Sequence, residues 1–383
     1  MTDAIATARG FQDELRKRSA EIEKGRRLPT DIADRFAAAG FYRLCVPQAY
    51  GGLEADPLTL IRVIETLAEA DGSAGWCVMI CATTGLCSAY MPDATAKDVF
   101  ARDPNFIVAG VFAPRGKATD EGDHYLVNGR WQWGSGSPNA KAIMGGCIVT
   151  KNGETVLTPH GVPDVRMMLV PIAETELMDN WDVSGLCGTG SQDFAFKNRR
   201  VPKALGVGLM SDKPLARPLY VFPVFGMLAA GIASVMLGLA RASITELTAL
   251  AGGKTPEGHR KPLAQRNKTQ EDVAEAEALV RSARAFFHES VARAWDEAQG
   301  GHRLSLDARR DLRLASTHAA RASVKAVDLM YNLGGGTSVY KSSPLQRIFR
   351  DVHVASQHMM VAPPTMETVG RVLLGQETDT SQL

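Results

Sequence analysis

Apolar positions over the first hundred residues recur at three- and four-residue spacing, the period of helices. FQDELRKRSAEIEKGRR predicts a polar amphipathic helix, and LPTDIADRFAAAGFYRL a second, with Thr30 as its N-cap and Gly40 as its stop. PLTLIRVIETLAEADGSAGWCVMICATTGLCSAYM predicts an amphipathic helix, a turn at Asp71-Gly72-Ser73, and a helix apolar on all sides, which must be buried. From about 105 to 205 the period changes to two. FIVAGVFAP, HYLVNGRWQWGS, AIMGGCIVT, RMMLVPI and FAFKNRRVP are short strand-like runs set apart by turn residues. They predict an antiparallel β unit, a small sandwich or barrel, with a tight hairpin at Val127-Asn128-Gly129-Arg130. Beyond Pro218 the helical period returns, over 228–250, 272–299, 307–332 and 345 to about 357. The predicted fold is mainly α with a central β unit: an N-terminal helical domain (1–104), a middle antiparallel β domain (105–206) and a C-terminal four-helix bundle (207–383). The β unit then forms one wall of a cleft between helices.

Composition narrows the class. A chain of 383 residues with 45% apolar content exceeds a single ordinary core. Its net charge of +1 gives no overall field for nucleic acid or an anionic membrane. The six cysteines show no CxxC spacing, which predicts reduced, buried thiols and a cytoplasmic protein; Cys77 and Cys81 are expected in core packing. The N-terminal stretch is charged throughout, unlike a signal peptide, and the apolar run near 227–240 is broken by glycines and ends at Arg241, so no membrane span is expected. No GxGxxG follows a predicted strand, so nicotinamide binding on this chain is not supported.

Candidate chemistry lies in four places. In NGRWQWGSGSPNA an unbroken strand puts Trp131, Trp133 and Ser135 on one face, offering ring area and a hydroxyl, while Gly134 and Gly136 let backbone approach. Such a face suits a flat polycyclic ligand; it also suits a tryptophan pair closing a core. GLCGTGSQDFAF sets Thr189 and Ser191 in a tight turn that can present hydroxyls, or be an ordinary turn. Asn332-Leu333-Gly334-Gly335-Gly336-Thr337 ends a helix. RDVHVASQHMM holds His353 and His358, of which a helix lets only one face the cleft.

VAGVFAPRGKATDEGDHYLVNGRWQWGSGSPNA resembles the flavin-facing strands of the acyl-CoA dehydrogenase superfamily, and more closely those of its flavin-dependent monooxygenase branch, the oxygenase components of two-component aromatic hydroxylases. ADGSAGWCV, GLCGTGSQDFAFKNRRVP and AVDLMYNLGGGTSVYKSSPLQRIFRDVHVASQH fall in the family's order and cover most of the chain. The resemblance implies an acyl-CoA dehydrogenase-like fold. It also implies Trp133 and Ser135 as flavin contacts with Ser137 beside the reacting edge, Thr189 and Ser191 as further cofactor contacts, and Gly335 and Gly336 against the flavin's phosphate end across a subunit boundary. Trp76 matches a position lining the substrate side.

Departures from the dehydrogenases are informative. Ala113-Pro114 stands for their Glu-Pro, Cys187 for a common Arg, and HRKPLAQRNKTQ for their Arg-x-x-Phe-Gly element, leaving Arg266 as a phosphate candidate and the choice between FMN and FAD open. Where they carry a base after the Arg-Asp pair, this chain has Met359, with no carboxylate before Glu367. The branch resemblance assigns the proton-handling role to His358, whose ordinary pKa near 6.5 suits it to accept and return a proton. Arg347, Arg350 and Asp351 are expected to form a fold-stabilising ion-pair set. The resulting expectation is a monooxygenase taking O2 and reduced FMN or FAD from a separate reductase, acting on a small aromatic or polycyclic substrate as a homotetramer. An acyl-CoA dehydrogenase, a flavin oxidase and a non-enzymatic helical binding protein are the alternatives.

Overall fold

The computed structural model describes residues 3–383. Helix α1 (Ala4–Gly25) starts where the Asp3 carboxylate accepts the Ile5 and Ala6 N–H groups, and it buries the stripe Phe11, Leu15 and Ile22. In α2 (Thr30–Ala38) Thr30 is the first helical residue and Pro29 the cap, one position earlier than expected. Asp56 caps α3 (Pro57–Ala70) through the Thr59 N–H, and Asp71 caps α4 (Gly72–Thr84) through the Ala74 N–H at 3.0 Å. The short α5 (Asp93–Ala96) leads into the sheet.

Eight strands follow: β1 (Val108–Asp120), β2 (His124–Gly134), β3 (Ala142–Lys151), β4 (Glu154–Thr155), β5 (Val165–Pro171), β6 (Glu176–Met178), β7 (Gln192–Pro202) and β8 (Gly206–Val207). They form one sheet in the order β6-β7-β2-β1-β3-β5-β8, with β4 on β3. The expected antiparallel unit is corrected in one respect: β1 and β3 run parallel, so the sheet is mixed. Alternation of side chains is the same for both directions, so period alone does not separate them. The expected hairpin at Asn128-Gly129 is corrected as well. Both residues lie inside β2, with Lys117 opposite Asn128 and Gly116 opposite Gly129, and the reversal comes earlier, between Asp120 and Tyr125. Gly129 is required by close approach: a Cβ there would stand 2.6 Å from Gly116 Cα and 2.7 Å from the Trp131 ring.

After α6 (Pro218–Val221) come α7 (Val224–Gly253), α8 (Asn267–Ala298), α9 (Leu306–Gly334) and α10 (Pro344–Ala355), close to the four predicted helices, and then an unforeseen α11 (Pro364–Leu373). α7 packs on α3, α4 and α9; α4 lies between α7 and β1, so helical layers and sheet share one core. The stretches Gly72–Tyr90 and Val224–Gly253 are long and apolar enough to cross a membrane, contrary to the sequence reading. Inside the protein 94% and 83% of their most apolar windows are buried, so they serve as its central core helices. α10 ends at Ala355, and His358 caps a separate 3-10 turn, Met359–Val361, so a shared helix does not relate it to His353.

Candidate functional site

Strand β2 breaks its alternation at the point of interest. Trp131 is fully buried, donates its indole N–H to the Gly146 carbonyl at 2.8 Å and stacks on Phe194 at 5.1 Å between centroids. A bulge between Trp131 and Gly134 then shifts the register against β7. Trp133 sits in it at φ +67° and is 61% exposed. The expectation of one face for Trp131, Trp133 and Ser135 is thereby corrected: one indole is core and the other surface. A bulky residue held at positive φ is strained, and such strain concentrates where a side chain must be aimed.

Past the bulge, the chain meets the Cys187–Gly190 turn, where the Gly136 N–H donates to the Thr189 carbonyl at 2.9 Å. Here four side chains form a directed chain. The Trp76 indole N–H donates to Ser135 Oγ at 3.0 Å; Ser135 Oγ and Ser191 Oγ are 2.6 Å apart, as are Ser191 Oγ and Thr189 Oγ1; Thr189 donates to the Leu186 carbonyl at 2.8 Å. Each hydroxyl has one proton, so with Trp76 donating at one end and a carbonyl accepting at the other, every proton is committed toward Leu186. What remains on each oxygen is a lone pair. All three hydroxyl residues and Trp76 are buried. Ser137 is fully enclosed and donates to the Gly190 carbonyl at 3.5 Å.

His358 packs its ring edge-on to Trp76, with centroids 5.9 Å apart. Its Nδ1 accepts the Met360 N–H at 3.2 Å, which assigns the proton of the neutral ring to Nε2. Loss of hydration, with the nearby charge of Arg313, lowers its pKa from the usual value to about 4, so the imidazole is neutral at pH 7. Arg313 is itself buried, donates to the Met360 carbonyl at 2.8 Å and is pushed down to about 10 by burial. His353 is engaged elsewhere, with Asp328 at 2.9 Å and Phe349.

Trp76, Ser135, Ser137, Thr189, Ser191 and His358 are thus brought together by the end of β2, the Cys187–Gly190 turn, α4 and the turn after α10, while Trp133 stands next along the chain, joined to Ser135 through its backbone carbonyl and with its side chain exposed. Gly335 and Gly336 lie elsewhere, in the turn that Lys254 ties down, and Arg266 follows the short turn whose first residue bonds the Lys254 backbone. The Lys254 ammonium donates to the Gly334 carbonyl and to Thr337 Oγ1 at 2.7 Å, while its own carbonyl accepts from Leu263, which opens the turn leading to Arg266. Lys254 was missed from the sequence because it lies 80 residues from the glycines it holds. The expected ion-pair set on α10 is corrected: Arg350 pairs with Glu23 of α1 at 2.6 Å, and Asp351 accepts the Leu186 N–H. Burial raises the Asp351 pKa to about 7, with the neighbouring Asp71 adding to the effect, and burial raises Asp71 as well. A cavity of about 280 Å³ beside α1, α3 and α8 holds none of these residues; its wall is charged, with Glu65 bound to Arg284 at 2.6 Å.

Residues 4–97 match the acyl-CoA dehydrogenase N-terminal domain, and residues 230–363 the acyl-CoA dehydrogenase C-terminal domain. Indole-3-acetate monooxygenase of Pseudomonas putida is 34% identical over 382 residues, which span 98% of this chain and 95% of that protein. The crystal structure of the HsaA monooxygenase from M. tuberculosis superposes with a TM-score of 0.90 at 25% identity, over 100% of this chain and 99% of that one. XiaF from a Streptomyces species, solved in complex with FADH2 and glycerol, shares the fold with a TM-score of 0.87 at 24% identity, over 98% and 95% of the two chains. The chain belongs to the acyl-CoA dehydrogenase family, in its branch of flavin-dependent monooxygenase oxygenase components.

Proposed function

We propose that this protein hydroxylates a small aromatic or polycyclic compound of the indole or phenol type, using O2 and reduced FMN or FAD received from a separate reductase. The observation that carries the proposal is the Trp76–Ser135–Ser191–Thr189 chain, with His358 packed on Trp76, at the end of a strand whose bulge leaves Trp133 strained and exposed. The residues present fit a flavin: Trp133 offers a free ring face for a planar ligand, and the hydroxyl chain beside it has only acceptor capacity left. Acceptors suit N–H groups, and reduced flavin carries more of these than oxidised flavin. Lys254 and Arg266, with the Gly335-Gly336 turn, would hold the phosphate end. When bound, reduced flavin would supply the two electrons that activate O2, one atom of which enters the product while the other leaves as water.

The protein's own part is to place the substrate and keep water out. Trp76 has its N–H committed to Ser135, so it meets the substrate as an apolar ring. His358 stays neutral and offers Nε2–H to a substrate oxygen or ring; to take up a proton it must release the Met360 N–H. The P. putida relative points to indole-3-acetate as the first compound to assay. Exposed Val339 and Tyr340, following the Gly335-Gly336 turn, supply an apolar surface for the subunit contacts of a homotetramer.

Incubation with chemically reduced flavin, 18O2 and indole-3-acetate or simple phenols tests the reading. One 18O atom in the product is expected. Stoichiometric hydrogen peroxide with none of these substrates oxygenated would contradict it, and bleaching of bound oxidised flavin by an acyl-CoA would revive the dehydrogenase alternative.

A further inference from the structure

Behind the hydroxyl chain lies a contact that neither the fold nor the proposed chemistry accounts for. The chain ends on the carbonyl of Leu186, a residue at φ +51°, where a β-substituted side chain is strained. That conformation persists only if its surroundings hold it. Three groups converge on the Leu186 carbonyl: Thr189 Oγ1 at 2.8 Å, the Thr189 N–H at 3.1 Å and the Trp181 indole N–H at 3.2 Å. One group holds its N–H, the buried carboxylate of Asp351 at 2.6 Å.

The turn is also pressed against the helix that carries this carboxylate. A Cβ on Gly185 would stand 2.4 Å from the Arg350 carbonyl oxygen, and Arg350 donates to the Ser184 carbonyl. Asp351 also reaches the start of the helix that carries Trp76: a Cβ on Gly72 would lie 3.3 Å from its Oδ2. Its crevice is shared with Arg16 of α1, Glu69 and Asp71 at the end of α3, Glu246 of α7 and Arg347 of its own helix. The Cys187 thiol is close enough to feel its charge.

Resting on the flavin reading above, we propose that Asp351 is a positioning residue for the cofactor site. By fixing the N–H of Leu186 it sets the carbonyl on which the hydroxyl chain terminates, and so keeps the protons of Thr189, Ser191 and Ser135 directed away from the flavin. Without that anchor Leu186 relaxes from its left-handed conformation, the terminal acceptor is lost, and the hydroxyls turn over to mixed donor and acceptor roles. Two consequences follow, a loosened turn and weaker holding of reduced flavin.

The test compares the wild type with Asp351→Asn, which keeps an oxygen acceptor in place, with Asp351→Leu, which has no acceptor, and with Asp351→Ser, whose hydroxyl is one bond too short to take the place of the carboxylate. Hydrogen exchange on the flavin-free protein is read for residues 184–192, with α8 as internal control. In the Leu or Ser variant the turn is expected to exchange about tenfold faster with α8 unchanged, and the Asn variant to restore protection. Anaerobic titration with reduced FMN and FAD should then give about tenfold weaker binding for the same variants and near wild-type binding for Asn. Equal protection of the turn in all four proteins would overturn the proposal, as would an Asn variant as loose as Ser. A wild type that binds neither flavin would sink the flavin reading, and the exchange comparison would still decide whether Asp351 anchors the turn.

Discussion

Trp131 and Trp133 stand two residues apart on one strand, and they show how differently a sheet can use the same side chain. The Trp131 end of β2 is a packed interior: the indole stacks on Phe194, tilts against Phe196 at 4.7 Å, and satisfies its N–H on Gly146. Glycines make room for it, since a Cβ on Gly116 or Gly145 would enter its ring at 2.3 and 2.7 Å. The Trp133 end is bulged, strained and open. One end is shaped by what it already touches, the other by what it is ready to touch. Stability and binding should therefore separate cleanly between the two.

Breaking the packed end has the largest expected effect. Trp131→Ala should destabilise by about 3–5 kcal/mol, because it removes a buried indole and leaves a cavity and an unsatisfied Gly146 carbonyl; chemical denaturation would measure it. Gly145→Ala should destabilise by about 1–3 kcal/mol through overpacking of the same ring. At the open end Trp133→Ala should change stability by only about 0.5 kcal/mol, since it replaces an exposed side chain and leaves the positive φ as strained as before. Equal destabilisation by Trp131→Ala and Trp133→Ala would erase the distinction.

The pH dependence sharpens the same contrast within the site. His358 has a folded pKa of about 4, below its unfolded value, so the unfolded chain binds the extra proton first and stability falls as pH drops from about 6.5 toward 4. Asp351 has the opposite sign. With a folded pKa raised to about 7, it contributes most at low pH, and stability falls as pH rises from about 4 to 7. The two windows overlap, so the contributions offset each other in wild type: relative to it, the melting temperature of His358→Gln should decline as pH rises from about 4 to 6.5, and that of Asp351→Asn should climb over the same range. His358→Ala should slow hydroxylation about tenfold with flavin affinity unchanged, and a rate equal to wild type would remove the residue from the site.

The helices and the β block were legible because apolar period carries them, whereas the stretches around Trp133, Ser135, Thr189, Ser191 and His358 were singled out by a family resemblance, since period and residue type alone also fit core packing and ordinary turns. What was not legible depended on partners distant in sequence. Asn128-Gly129 reads as a hairpin, but its glycine answers to the Trp131 ring packed across the strand. Alternation implied one face for both tryptophans until a bulge, which period does not encode, turned Trp133 outward. Asp351 looked like an ion-pair partner for Arg347, four residues before it, and for the adjacent Arg350, yet it accepts the N–H of Leu186, and Arg350 pairs with Glu23. His358 was given an ordinary pKa because burial and Arg313 are invisible in a one-dimensional pattern.

The measurement closest to the central claim is an anaerobic equilibrium titration of reduced FMN and FAD against wild type and Trp133→Ala, with unfolding curves recorded on the same samples. The account predicts that wild type binds one of the two flavins and that Trp133→Ala binds it about tenfold more weakly, about 1.4 kcal/mol, at unchanged stability. Binding of equal strength in both proteins would contradict it.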